Sequence, residues 1–136
     1  MITLRISHPR PEPLVAEAAR LASALTERWL EKDPAVTAVE VTVTPTSHWF
    51  VAGRTLAEQQ LAAFFLEVRI SAGTNTKDQK ARFVAEAFQG FRALLGPLNS
   101  ESYVYVIDAN PDAYGFGGLT QERRYIEGRP RAPGVG

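Results

Sequence analysis

The chain has 136 residues, 45% of them hydrophobic and 22% charged, which is enough to bury a core in one soluble domain. Its 15 basic and 15 acidic residues cancel, so the overall charge gives no support to a nucleic-acid or membrane partner. Cysteine is absent, which excludes disulfides, thiolate metal sites and a cysteine nucleophile.

The first half of the chain reads as a strand, a helix and a second strand. Residues 2–7 alternate apolar and polar side chains, as a strand with one buried face does. A proline-rich segment then leads into a helix that should end near Asp33 and Pro34. Its predicted apolar face consists of Leu14, Ala18, Leu21, Leu25 and Trp29. Alternate valines in residues 39–44 predict the second strand, with the valines inward.

The second half repeats this order with clearer signals. Residues 66–70 alternate as a strand, and Thr76 to Gln79 has the Thr-x-x-Gln form of a capping box, which predicts a helix start. The predicted buried stripe of this helix is Val84, Ala87, Phe88, Phe91, Leu94 and Leu95. Gly96 and Pro97 end the helix. Residues 103–107 are β-branched and aromatic throughout, which predicts a central strand covered on both faces.

A shift of 64 residues, from 4 to 68, relates the two halves. It sets residues 4–7 on residues 68–71 and the turn at 50–53 on the turn at 114–117. A tandem βαβ-βαβ duplication is the economical interpretation, with repeat 1 at about 1–53 and repeat 2 at about 64–118. Both repeats belong to one domain, residues 1–136, which ends in a loose tail at 127–136.

The expected fold class is α+β, with a four-stranded mixed sheet and two helices on one face. Strands joined by a helical crossover are most simply parallel. The helices leave the other face of the sheet uncovered, and Tyr103, Tyr105 and Ile107 make that face apolar. Because a monomer would expose too large an apolar patch, we expect a symmetric homo-oligomer that packs its sheets together.

These residues resemble the tautomerase superfamily, which includes 4-oxalocrotonate tautomerase (4-OT) and macrophage migration inhibitory factor. The similarity lies in the helix start after Gly73, the aromatic and glycine-rich turn at 114–118, and its first-half counterpart at 49–53. Family members with two βαβ units assemble as trimers whose sheets line a central barrel. The resemblance therefore implies a homotrimer that binds a small-molecule substrate or ligand.

The family's chemistry rests on an amino-terminal proline, whereas this chain begins Met1-Ile2. The resemblance implies that Met1 is retained, because the large side chain of Ile2 discourages its removal. The amino group of Met1 would then be the catalytic base, since an α-amine in an apolar pocket is partly neutral near pH 7. Alternatively, Met1 only starts a buried strand.

The resemblance also implies a set of substrate-binding residues: Arg10, Trp49, Phe50, Tyr103 and Tyr114. Arg10 would hold a substrate carboxylate through its paired donors, or it is a solvated loop arginine. Trp49, Phe50 and Tyr114 would form an aromatic wall, and Tyr103 matches a pocket tyrosine. For each aromatic residue the alternative is packing in the core or at a subunit interface.

Two functions from different classes stay open. One is a keto-enol isomerase or related enzyme acting on a small unsaturated or 2-keto acid. The other is a non-catalytic trimeric binding or interaction module that retains the fold, which the missing proline favours. No metal or other cofactor is expected, because His8 and His48 have no carboxylate or cysteine at ligand spacing. Without an apolar leader or an apolar run of about twenty residues, a cytoplasmic location is expected.

Overall fold

The computed structural model describes residues 1–128. Its elements in chain order are β1 (Ile2–Ser7), α1 (Val15–Leu30), β2 (Val39–Val43), β3 (Phe50–Val51), β4 (Arg54–Thr55), α2 (Leu56–Gln59), β5 (Ala63–Ser71), α3 (Lys77–Leu95), β6 (Tyr103–Ala109), β7 (Gly115–Phe116), β8 (Leu119–Thr120) and α4 (Gln121–Glu127). Single 3₁₀ turns precede α1, β2 and β3, at Glu12–Leu14, Pro34–Val36 and Thr46–His48.

The predicted α+β fold is confirmed. The main sheet has four strands in the order β2-β1-β5-β6. Each repeat contributes a parallel pair, β1 with β2 and β5 with β6, and the antiparallel contact of β1 with β5 joins the repeats. Both long helices cover the same face, where their apolar side chains form one core with the sheet. The fold is thus a tandem βαβ duplication with a mixed sheet.

The prediction that residues 103–107 form a central strand is wrong. The two central strands are β1 and β5, and β6 lies at an edge of the sheet. Val104 and Val106 pack against the core, whereas Tyr103 is 50% exposed and Tyr105 is 47% exposed. The aromatic residues that suggested burial instead cover the open face of an edge strand.

Helix α3 begins as predicted, but its buried face is rotated from the predicted stripe. The capping box is present: Thr76 Oγ1 accepts from the Gln79 N–H at 3.1 Å, and Gln79 Oε1 accepts from the Thr76 N–H at 2.9 Å. Phe83, which the stripe omitted, is fully buried, whereas Val84 is 40% exposed. The fully or nearly fully buried positions are Phe83, Ala87, Phe91 and Leu95.

Helix α1 ends earlier than predicted and buries a shifted set of residues. It stops at Leu30, because Glu31 adopts the left-handed conformation with φ of 59°. Its buried residues are Ala18, Ala22, Leu25, Thr26 and Leu30. Of the predicted face, Leu14, Leu21 and Trp29 are only partly buried.

The repeats are related by two offsets rather than one. Leu4 and Val68 are equivalent at a shift of 64, and both lie on the helix face. Val41 pairs with Leu4, and Val106 pairs with Val68, so the second strands are related by 106 minus 41, a shift of 65. A shift of 64 there would set the helix-facing Val43 on an open-face residue, since a one-residue slip reverses the face. The second crossover is therefore one residue longer.

The 65-residue shift continues past residue 53 to the end of each hairpin unit. The hairpin of β3 and β4 leads into α2, as the hairpin of β7 and β8 leads into α4. Thr55 and Thr120 cap these helices through the same hydroxyl contact, 3.1 Å in each. The first helical N–H donates to the carbonyl of Trp49 in one unit and of Tyr114 in the other, both at 2.9 Å. Trp49 is thus the counterpart of Tyr114.

The predicted tail lies almost wholly outside the described residues. Glu127 is the last residue of α4, Gly128 follows it, and 129–136 are not described. Within residues 1–128, no helix combines the length and apolarity needed to cross a bilayer.

Candidate active site at the amino terminus

A cavity of about 280 Å³ opens where β1 begins and β5 ends, and we call it the Met1 cavity. Five of its lining residues carry its chemistry: Met1, Lys32, Arg69, Ser71 and Tyr114. The parallel strands β5 and β6 finish at this edge of the sheet, and α1 ends above it. The topology therefore brings the chain start, a helix end and the second hairpin together.

The sheet holds the amino-terminal residue in place. The Ile2 N–H donates to the Ala38 carbonyl at 2.8 Å, and the Met1 carbonyl accepts from the Arg69 N–H at 3.2 Å. Partial burial lowers the pKa of the Met1 amino group, and the charge of Arg69 lowers it further. A larger fraction of this amine is therefore neutral near pH 7 than of an ordinary chain terminus.

Lys32 reaches the cavity because α1 stops two residues before it. Its Nζ donates to Thr74 Oγ1 at 2.9 Å, and Thr74 Oγ1 donates to the Ser71 carbonyl at 2.6 Å. Burial lowers the pKa of Lys32, while the charges of Glu31 and Asp108 act in the opposite direction. The ammonium group is thus fixed by one bond and keeps two N–H groups for a ligand.

The remaining charges at the cavity are partly engaged. Arg69 Nε pairs with Glu67 at 2.7 Å, but its side chain is 62% exposed, and the terminal nitrogens of the guanidinium are not part of that bond. Asp33 accepts from the Ala35 N–H at 2.9 Å as a helix cap. Asp108 pairs with Lys80 at 2.6 Å. Glu31 and Asp33 also line the cavity, so two carboxylates balance Lys32 and Arg69, and what the cavity offers an anionic ligand is the free N–H groups of those two side chains.

Two hydroxyl groups form the third polar feature. Ser71 Oγ and the Tyr114 hydroxyl lie 2.5 Å apart, and both residues line the cavity. Tyr114 occupies the position just before β7, where its carbonyl anchors α4. We call these two groups the hydroxyl pair.

Comparison with known proteins identifies the fold. No family model matches the chain, and no curated protein matches it in sequence. The structure of Pt0534 inactivated by 2-oxo-3-pentynoate matches with a TM-score of 0.77 at 17% identity, over 90% of this chain and 97% of that one. A wild-type fused 4-OT symmetric trimer, Q0, matches with a TM-score of 0.73 at 19% identity, over 94% and 98%. This chain has the fold of the 4-OT-like tautomerases.

A decarboxylase shares that fold. FG41 malonate semialdehyde decarboxylase, inhibited by 3-bromopropiolate, matches with a TM-score of 0.72 at 16% identity, over 96% of this chain and 99% of that one. All three structures match nearly their whole length, so the second βαβ unit of this chain is part of the shared tautomerase fold.

Of the six site residues expected from the sequence, two line the Met1 cavity and two others line a separate depression. Met1 and Tyr114 share the Met1 cavity. Trp49 and Phe50 line a separate depression of about 370 Å³ with Arg5. The substrate-binding and catalytic roles of these four residues therefore stay predictions.

Arg10 and Tyr103 lie apart from both depressions. Arg10 is exposed beyond the far end of β1, where its backbone N–H donates to His8 Nδ1 at 2.9 Å. The Tyr103 hydroxyl lies on the open sheet face and donates to Glu101 at 2.5 Å, which raises the pKa of Tyr103. Neither residue lines the Met1 cavity.

Sequence reasoning missed Lys32, Arg69 and Ser71. Arg69 and Ser71 were visible in the repeat alignment, but the sequence does not show that antiparallel pairing sets β5 against the chain start. Lys32 carried one available signal, its place just after a helix end. The residues that hold it, Thr74 and the turn after β5, are distant in sequence.

A larger cavity, of about 460 Å³, lies at the opposite end of β1. Its lining is mostly apolar, and its polar side chains are those of His8, Thr46 and Gln60. No lysine or arginine lines it. The smaller Met1 cavity is the better candidate site, because it combines a base, cations and hydroxyl groups.

Proposed function

We propose that the protein is an isomerase of the tautomerase type, which moves a proton between carbon and oxygen of a small unsaturated or 2-keto acid. One observation carries this proposal: Met1, whose amino group has a lowered pKa, lines a cavity that Lys32 and Arg69 also line. A base that is partly neutral near pH 7 is what proton abstraction from carbon requires.

The chemistry would proceed in two proton transfers. Lys32 and Arg69 bind the substrate carboxylate through charge-assisted hydrogen bonds. The neutral Met1 amine takes a proton from C3 of the 2-keto acid, and the electron pair of that C–H bond forms the C2–C3 double bond of the enolate. The ammonium group so formed returns the proton to the enolate oxygen, which gives the enol and restores the amine. The reverse sequence converts enol to ketone.

The ligands of related structures support a small acid. Pt0534 is inactivated by 2-oxo-3-pentynoate, and the decarboxylase is inhibited by 3-bromopropiolate. Both compounds are short unsaturated carboxylic acids. A carboxylate of that size suits a cavity of about 280 Å³ with cations in its wall.

A homotrimer is part of the same proposal. The open sheet face carries Phe65 and Tyr105 with ring centroids 5.5 Å apart, and Arg5 lies 5.2 Å from the Phe65 centroid. Tyr105 is 47% exposed, and exposed aromatic rings on an open sheet are typical of a subunit interface. The fused 4-OT Q0 is a symmetric trimer. In such an assembly, a neighbouring subunit would supply Arg10, Trp49, Phe50 or Tyr103 to the cavity.

The alternative is a non-catalytic trimeric binding module. The observation that favours it is Met1 itself, because a primary amine on a residue that is 55% exposed is less fixed than a ring nitrogen. This module would bind the same small acids without exchanging a proton.

A Met1→Pro variant, expressed behind a removable initiator methionine, distinguishes the two functions. Proline at position 2 is unsuitable, because Ile2 is fully buried and its N–H donates to Ala38. The matched control is Met1→Ala behind the same initiator, which keeps a primary amine. Ultraviolet assays with phenylenolpyruvate and 2-hydroxymuconate measure ketonisation.

We expect Met1→Pro to exceed wild type by at least about tenfold, or roughly 1.4 kcal/mol of barrier, while Met1→Ala stays near wild type. Equal gains in both variants would show that the ring nitrogen is not responsible. Binding without turnover in every variant would establish the binding module instead.

A further inference from the structure

We propose that Ser71 is a positioning residue that holds the Tyr114 hydroxyl toward the Met1 cavity, where Tyr114 donates a hydrogen bond to the 2-oxo oxygen of a bound acid. This inference rests on the proposed function and adds a hydrogen bond at the oxo oxygen to the carboxylate contacts of Lys32 and Arg69. The carboxylate would lie on Lys32 and the adjacent oxo group on Tyr114.

The hydroxyl pair has one O–H donor that its mutual hydrogen bond does not use. Ser71 and Tyr114 carry two hydroxyl hydrogens between them, and their mutual bond of 2.5 Å uses one. Among residues 1–128, neither hydroxyl oxygen has another hydrogen-bond partner. The second hydrogen is therefore left on the wall of the Met1 cavity, where a ligand oxygen is its natural acceptor.

One short turn fixes both ligand contacts. Ser71 contributes its hydroxyl to Tyr114 and its carbonyl to Thr74, and Thr74 in turn accepts from Lys32. The ammonium of Lys32 and the phenol of Tyr114 are thus tied to the same four-residue segment, 71–74. The carboxylate and oxo group of a 2-oxo acid are adjacent on its carbon chain, so two donors held by one turn suit that ligand.

The first repeat provides an internal comparison. Ser7 is equivalent to Ser71 at the shift of 64, and Trp49 is equivalent to Tyr114 at the shift of 65. Within the part of the chain that the structure describes, Ser7 Oγ is fully buried and has no hydrogen-bond partner, and Trp49, the counterpart of Tyr114 in this repeat, carries no hydroxyl group. Across residues 1–128, the hydroxyl pair therefore occurs only in the second repeat, whose Tyr114 lines the Met1 cavity.

The test compares two probes that differ at the relevant oxygen. Phenylpyruvate has a 2-oxo group, and 3-phenylpropanoate has the same carbon skeleton and carboxylate without it. Isothermal titration calorimetry gives Kd for both probes in wild type and in the variants Tyr114→Phe, Ser71→Ala, Ser71→Thr and Ser7→Ala. Thermal melting of each variant checks that it is folded.

Tyr114→Phe should weaken phenylpyruvate binding about fivefold to tenfold and change 3-phenylpropanoate binding less than about twofold. Ser71→Ala should weaken phenylpyruvate about threefold, and Ser71→Thr should restore it, because threonine keeps the hydroxyl. Ser7→Ala should leave both Kd values unchanged.

Equal weakening of both probes by Tyr114→Phe, or none, would overturn the inference alone and leave the proposed function standing. The same holds if Ser7→Ala acts like Ser71→Ala. If wild type binds neither probe, the proposed function fails together with the inference.

Discussion

Phe91→Ala should destabilise the protein by about 4 kcal/mol, because Phe91 lies at the centre of the core. Its side chain is fully buried, and its ring stacks on Phe64 with centroids 4.5 Å apart and planes 22° apart. Loss of the ring forfeits about 2 kcal/mol of transfer free energy. A residual cavity of roughly 80 Å³ adds about 2 kcal/mol at 24 cal per Å³. The total lies within the usual range for such substitutions, about 3 to 5 kcal/mol.

Substitutions at two other positions on α3 serve as comparisons for the cost of Phe91→Ala. Phe88 is only partly buried, with its ring centroid 6.3 Å from that of Phe64, so Phe88→Ala should cost about 2 kcal/mol. This is less than the value for Phe91, although the sequence placed both on one buried stripe. Val84 is 40% exposed, and Val84→Ala should cost less than about 1 kcal/mol.

Urea denaturation followed by circular dichroism measures these costs. All variants must be compared at one protein concentration, because the stability of an oligomer depends on it. The slope m should stay constant, which shows that the change lies in stability. A cost below about 1 kcal/mol for Phe91→Ala, or an equal cost for Val84→Ala, would refute the described packing of α3.

Three further predictions concern assembly, capping and ligand binding. Native mass spectrometry at micromolar concentration should show a trimer, because the open sheet face needs a cover, and a stable monomer would contradict this. Thr76→Ala should lower stability by about 1 kcal/mol in urea melts, since its hydroxyl satisfies the Gln79 N–H; Thr76→Ser, which keeps the cap, should be near neutral. Lys32→Met should weaken the binding of phenylpyruvate about tenfold in calorimetry, because the ligand loses a charged donor. The control is Arg82→Met, which removes an exposed arginine paired with Glu86 and should leave the Kd unchanged.

The fold was largely predictable because its signals are local. The capping box at Thr76, the break at Gly96 and the alternation in each strand depend on neighbouring residues. The location of the 103–107 strand was not predictable in this way, because aromatic and β-branched residues suit a central strand as well as an edge strand at an interface. Strand order decides between them, and strand order depends on pairing between distant residues.

The duplication was also visible, but its register was not. One offset of 64 matches residues 4–7 with 68–71 and also matches the turns at 50–53 and 114–117, but it fails inside the helices, which implies small insertions there. The extra residue in the second crossover becomes apparent only when Val41 and Val106 are set beside their pairing partners. A one-residue slip in a valine-rich strand hardly changes the sequence similarity. The same slip moves every side chain of the strand to the opposite face of the sheet.

The candidate site was predictable only in part. Met1 and Tyr114 came from the family resemblance, and the structure places them in one cavity. Lys32 and Ser71 needed the tertiary structure, because their contacts join residues up to 43 positions apart. Their chemistry depends on those contacts rather than on any local motif.

Deuterium exchange at C3 of phenylpyruvate, followed by ¹H NMR across pH, tests most directly whether the Met1 amine is the base. The comparison protein carries two extra residues before Met1, which move the amine out of the cavity. We predict that the rate in the native protein rises with pH through an apparent pKa below the ordinary α-amine value of about 7.7 to 8.0, because only the neutral amine abstracts a proton. The extended protein should exchange at the background rate. An equal enzymatic rate in both proteins would contradict the account.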